Sequence, residues 1–195
     1  MHSTRSIRRR VETGRETPTV VASAVADLHG RDVTEIESLY EAVDPDALGR
    51  LFAHPSERDR DGTGRIVFPM RSGWVAVRDD DWVVASDDDR GFRPPNRSSS
   101  EGVHRTRHDW DAGRTLSSSL LLAVDDVPDT GSRQELLLEV VDPDALDRVF
   151  RPVDGDVRRE SGWLTFSFRG FIATVSACGL ITIAHDRREF TESGS

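Results

Sequence analysis

The sequence predicts an α+β protein made of two tandem copies of a small two-layer unit, each with helices packed on a three-stranded antiparallel sheet. Three observations predict it. The phrase AVDPDALGRLF at 42–52 returns as VVDPDALDRVF at 140–150, 98 positions later, and self-similarity of this kind sets the domain plan before any motif is weighed. In each copy, apolar residues first recur at helical spacing and later alternate. The alternating parts also match at the offset of 98: Ile66, Phe68 and Met70 with Leu164, Phe166 and Phe168, and Val83 and Ala85 with Ile181 and Ile183. The copies are placed at 17–86 and 115–186, with a disordered basic arm over 1–16, a flexible linker over 87–114 and a tail over 187–195.

Each copy opens on a helix. Val21, Ala24, Val25 and Leu28 lie on one helical face, with Gly30 as its stop, and Leu116, Leu120, Leu121 and Val124 repeat the pattern. A second amphipathic helix is expected from Ile36, Leu39, Tyr40 and Val43, matched in part by Leu137, Leu138 and Val141. The repeated phrase then starts a new helix. Asp44 and Asp142 can accept a bond from a free backbone N–H, and Pro45 and Pro143 suit the first helical position, where no donor is missed. Asp46 and Asp144 add negative charge at the positive helix end. Val43 with Leu48, and Val141 with Leu146, stand at the two positions of a hydrophobic staple.

Three short alternating segments follow in each copy, as strands covered on one face require. Turns are marked by Ser72 and Gly73, by Asp79 to Asp81, by Gly170, and by Cys178 and Gly179. Pro69 falls inside the first strand of copy one and predicts an edge or a bulge there. Between the copies, residues 87–114 are rich in Pro, Ser and charge and lack an apolar period, the composition of a linker.

Composition narrows the functional classes. All 26 basic residues are Arg, and 23 of the 35 acidic residues are Asp, for a net charge of −9. A high-GC genome also replaces Lys by Arg, but the abundance of Asp indicates adaptation to molar salt, where screening within about 3 Å tolerates dense carboxylates. Copy one holds 7 Arg against 13 acidic residues and copy two 6 against 12. Both folded units therefore repel nucleic acid, and the few arginines of the arm contribute little to phosphate binding at high salt. No apolar run reaches the roughly 20 residues of a bilayer span, and Arg8, Arg9 and Arg10 precede no apolar signal stretch. A cytoplasmic location is expected. The single cysteine, Cys178, excludes an internal disulfide and a cysteine zinc cage.

Four constellations invite chemistry, and each has a plainer explanation. The repeated Asp-x-Asp is fully used by capping, whereas a hard cation wants six or more converging oxygens. His104 and His108, beside Asp109 and Asp111, have zinc-helix spacing but sit in the linker without a catalytic Glu. Cys178 and His185 flank the last strand of copy two, yet copy one has Asp80 and Asp87 there, so no nucleophile–base pair is expected. Trp74, Trp82 and Trp163 are read as sheet packing; Trp82 and the linker's Trp110 are the aromatic residues best placed for a partner. No catalytic, cofactor-binding or metal residue is assigned.

The order of a helix, LYEAVDPDALGRLF, a loop, GRIVF, GWVAV and WVVAS closely resembles the halobacterial output domain 1 family, modules of haloarchaeal proteins. Copy two keeps the central phrase and the strands but has LSSSLLLAVDD where copy one has VVASAVADLHG. The resemblance implies modules that occur alone, in tandem or joined to signalling receivers, and an output role in regulation. It brings no catalytic residues. The expectation is thus a non-catalytic regulatory module acting by protein–protein interaction, without cofactor, in a haloarchaeal cytoplasm. Its partner is an unknown protein, and the two copies pack on each other or the chain dimerises. The alternative is a transcription-associated DNA binder that uses the Arg-rich arm.

Overall fold

The computed structural model describes residues 4–53, 63–71, 73–92, 103–128, 136–152, 159 and 161–186. Ser72, residues 93–102 of the linker and the tail 187–195 lie outside them. The first half comprises β1 (Ser6–Arg10), α1 (Thr17–His29), α2 (Pro45–Arg50), β2 (Arg65–Met70), β3 (Gly73–Arg78) and β4 (Trp82–Ser86). The second repeats that order with β5 (Val103–Arg107), α3 (Leu116–Asp125), α4 (Pro143–Val149), β6 (Trp163–Phe168), β7 (Phe171–Ser176) and β8 (Leu180–His185).

All eight strands form one antiparallel sheet in the order β1-β4-β3-β2-β6-β7-β8-β5. Each unit therefore contributes four strands where the sequence predicts three. The extra strands are the outer ones, drawn from the expected arm and linker. In β1, Ser6 to Arg10 pair with Ser86 to Trp82, and in β5, Val103 to Arg107 pair with Ala184 to Leu180. Ile7 packs against the core while Arg8 and Arg10 are exposed, so the strand buries one apolar side chain and gains a full ladder on its inner side. Five residues with a single inward apolar group leave almost no period to read.

The two halves join at their β2 and β6 edges. Ile66 pairs with Leu164, its own counterpart, while Arg65 pairs with Thr165 and Val67 with Trp163. Exchanging the copies maps this ladder onto itself, so a pseudo-two-fold axis runs through the Ile66–Leu164 pair. The β2–β6 ladder ends at Val67, and Pro69 lies beyond it, where its missing N–H removes no bond between the copies.

Helices cover one face of the sheet. The main core combines Val21, Val25 and Leu28 of α1 and Leu120 and Val124 of α3 with the strand residues Ile66, Phe68, Leu164 and Phe166, and runs unbroken across the seam. Gly30 ends α1 in the left-handed conformation, its N–H bonded to the Asp27 carbonyl, as the sequence predicts. The expected second amphipathic helix does not form. Short 3₁₀ turns stand there instead, at Val33–Glu35, Leu39–Glu41 and Leu137–Glu139. Asp44 and Asp142 must be extended because a proline follows each, which stops a helix from running through. At Gly73 a Cβ would lie 2.3 Å from the Ser86 carbonyl oxygen, with φ at +151°, so only glycine fits where β3 meets β4.

Candidate functional site

The repeated phrase builds the seam between the copies. Asp44 Oδ1 accepts from the Ala47 N–H at 2.9 Å and Asp142 Oδ1 from the Ala145 N–H at 3.0 Å, each with a proline in the first helical turn. The backbone of the same residues reaches across the axis. The Asp44 N–H donates to the Val149 carbonyl and the Asp142 N–H to the Leu51 carbonyl, both at 3.0 Å. Each cap thus supplies the other helix's C-terminal end with a donor it otherwise lacks. Asp44 Oδ2 also accepts from Arg148 Nη2 at 3.0 Å. These carboxylates are occupied by structure, and among the described residues no group of three His, Cys, Asp or Glu side chains converges as a metal site would need.

Arg159 completes the seam, and nothing in the sequence distinguishes it from the other arginines. It is 6% exposed and donates to the Val149, Arg151 and Tyr40 carbonyls at 3.3, 2.8 and 2.9 Å, so one guanidinium ties the end of α4 to the other copy. Burial lowers its pKa, against a smaller opposing effect of Asp44. Beside it lies a cavity of about 330 Å³ bordered by Glu37, Ser38, Arg71 and Ser161.

The remaining candidates fall apart spatially. His104 lies within β5 and His108 just after it, so their spacing of four is set by a strand and its exit and they share no helical face. His108 is buried, its Nδ1 is 2.9 Å from Ser119 Oγ, and its ring stands edge-on to Trp110 at 4.6 Å. Burial lowers the His108 pKa, opposed by Asp147 and Asp109 and reinforced by Arg114. Trp110 donates to the Ala177 carbonyl at 3.2 Å, so it is a packing residue of copy two. Cys178 is exposed in the turn before β8 and His185 ends that strand against the Phe171 ring. They stand roughly 20 Å apart at about 3.3 Å per strand residue. No nucleophile–base pair forms between them.

The expected free basic arm is likewise engaged. Arg9 pairs with Asp27 of α1, and Arg8 lies 3.9 Å over the Trp82 ring. Trp82, Trp74 and Trp163 all lie on the sheet face away from the helices, where Trp74 and Trp163 meet at 5.8 Å and Phe92 folds over Val67 and Ala76.

A family model for halobacterial output domain 1 matches residues 14–87 and 114–185, well over half of the chain. The chain belongs to this family, in two tandem copies. Comparisons with curated proteins and with solved structures give no match. Strands β1 and β5 precede the two matched regions, so each output domain is extended at its outer edge by a strand. No helix among the described residues is long and apolar enough to cross a membrane.

The two output domains expose apolar side chains at equivalent places on the helical side. Tyr40 and Leu138, 98 positions apart, are 55% and 54% exposed on the 3₁₀ turns that precede the two Asp-Pro helices. Leu136 on the same turn and Leu122 on α3 are exposed as well. The helical periodicity at 36–43 places Tyr40 on an inward face; the 3₁₀ turn turns it outward.

Proposed function

We propose that this protein is a non-catalytic regulatory output module that binds a protein partner through its helical layer. The observation that carries the reading is the pair Tyr40 and Leu138, exposed at pseudo-symmetric positions on either side of the axis. Large apolar side chains exposed at matching places are available to a partner, and aromatic and aliphatic anchors of this kind carry most of the energy in protein interfaces. The family assignment supports a regulatory role, and the Asp-rich, Lys-free composition supports a cytoplasm at molar salt.

The test is a pull-down from the native cytoplasm in molar salt, with the full chain and a Tyr40→Ser/Leu138→Ser variant as baits. The wild-type chain is expected to retain a defined protein that the variant loses, while both unfold at the same denaturant midpoint. Equal retention by both baits would overturn the assignment of the surface, and substrate turnover abolished by Cys178→Ala would overturn the non-catalytic role.

A further inference from the structure

The two output domains agree on the face turned to the helices and disagree on the other. Toward the helices, Ile66, Phe68 and Val77 correspond to the apolar residues Leu164, Phe166 and Val175 of the second domain. On the far face, Arg65, Ala76, Arg78 and Val84 of the first domain are replaced in the second by Trp163, Thr174, Ser176 and Thr182. The fold itself therefore has no need of the first set.

That set concentrates positive charge. Arg65 and Arg78 are directly opposed across β2 and β3, a placement that is unfavourable for two like charges. Both are half-buried, and burial together with Arg78 lowers the Arg65 pKa. The second domain has a neutral pair, Trp163 and Ser176, at these places. Arg78 is also held in position: its Nε and Nη2 donate to Asp80 at 2.9 and 2.7 Å, which uses two of the five guanidinium N–H groups and aims the rest. The two arginines, with Arg90, border a hollow of about 420 Å³ whose apolar wall is Ala76, Val84 and Phe92. Among the described residues one carboxylate, Asp88, borders it, and it pairs with Arg90 at 3.3 Å. The volume lies in the range of small-molecule sites.

We propose that this hollow binds a small organic anion, with a carboxylate or phosphate on Arg65 and Arg78 and a flat apolar body against Ala76, Val84 and Phe92. Asp80 already balances the charge of Arg78, so the anion is held by the guanidinium N–H groups that Asp80 leaves open, and the apolar wall selects against inorganic ions. A long polyanion fits poorly, since Asp79 to Asp81 and Asp87 to Asp89 lie at the two ends of β4. The site is on the opposite side of the sheet from Tyr40 and Leu138, so it goes beyond the partner surface and stands or falls independently of it.

The probes are 1-naphthoate, 1-naphthyl phosphate and the neutral 1-naphthylmethanol, titrated into the full chain by calorimetry at constant high salt. At least one anion is expected to saturate a single site per chain and to bind about tenfold more weakly, roughly one lost charge-assisted contact, to Arg78→Ser and to Arg65→Gln. Arg105→Ser, on the same face of the second domain, and Tyr40→Ser/Leu138→Ser are expected to bind as wild type. Which anion binds identifies a carboxylate or a phosphate ligand. Arg78→Ser also loses its ion pair with Asp80, so urea unfolding of both variants is run beside the titrations, and both are expected to be fully folded under the titration conditions, so weaker binding cannot be ascribed to unfolding. The proposal is overturned if neither anion saturates, if the neutral probe binds equally well, or if both arginine variants retain wild-type affinity.

Discussion

Removing the cap carboxylate separately in each copy isolates what the phrase contributes, because the two sites are twins with one difference. Asp142→Ala removes the bond from the Ala145 N–H, a loss of about 1 kcal/mol for a helix cap. Asp44→Ala removes the same bond at Ala47 and the pair with Arg148 Nη2. Asp44 keeps only 18% of its side-chain exposure and Arg148 keeps 46%, so the pair is partly screened and is worth about 0.5 kcal/mol. The expected losses are therefore about 1.5 kcal/mol for Asp44→Ala and about 1 kcal/mol for Asp142→Ala. Asn caps as well as Asp, so Asp142→Asn is expected near neutral and Asp44→Asn to lose only the ion-pair part. The measurement is urea unfolding with linear extrapolation, at the lowest salt that keeps the chain folded and again at about 2 M more, where screening erases the difference between the twins. If Asp142→Ala costs no more than an ordinary surface change, or if adding a chelator reproduces its effect, the carboxylates are not acting as caps and the reasoning fails.

Three further perturbations probe the seam, the core and one turn. Arg159→Met strands the Tyr40 and Arg151 carbonyls, while the Val149 carbonyl keeps the Asp44 N–H, and is expected to cost about 3 kcal/mol in urea unfolding, with Arg159→Lys recovering only part. Because burial holds the His108 pKa below its unfolded value, the unfolded chain takes up the proton first. Stability is complete above about pH 6.5 and falls as pH drops from there toward the folded pKa. His108→Gln is expected to flatten that slope, and an imidazole titration by NMR that places His108 above 6.5 would contradict it. Gly73→Ala drives a methyl group into the Ser86 carbonyl and is expected to cost about 2 kcal/mol or more, read as a lowered thermal midpoint.

The parts of this fold that were legible in the sequence are those governed by neighbours along the chain. A cap aspartate followed by proline satisfies its own helix, so Asp44 and Asp142 announce the starts of α2 and α4 without reference to anything distant. Alternation likewise reveals β2 to β4 and β6 to β8, because their inward residues are apolar. β1 and β5 escape detection because an edge strand can be held by its backbone ladder: β1 turns one apolar residue, Ile7, toward the core, and the core-side positions of β5 are the polar His104 and Thr106. The joining of the copies into one sheet rests on three residue pairs at a separation of about a hundred residues, which no local period records. The segment 36–43 misleads for a related reason: a spacing of i and i+3 suits a 3₁₀ turn as well as a helix, and the Asp-Pro step decides between them. Of the two candidate surfaces, the Arg65–Arg78 pair was present in the sequence but unremarkable until the ladder brought the two residues together.

The axis through Ile66 and Leu164 also governs how the molecule can be regulated. Two separate subunits joined this way would fall apart on dilution and could exchange mates, whereas a single polypeptide keeps each half at a fixed, high effective concentration of the other. Control by swapping subunits is closed to such a chain at any protein level. Freed from having to match itself, one half can specialise while its sibling remains a scaffold, and Arg65 and Arg78, which give way to Trp163 and Ser176 in the sibling, are the trace of that division of labour.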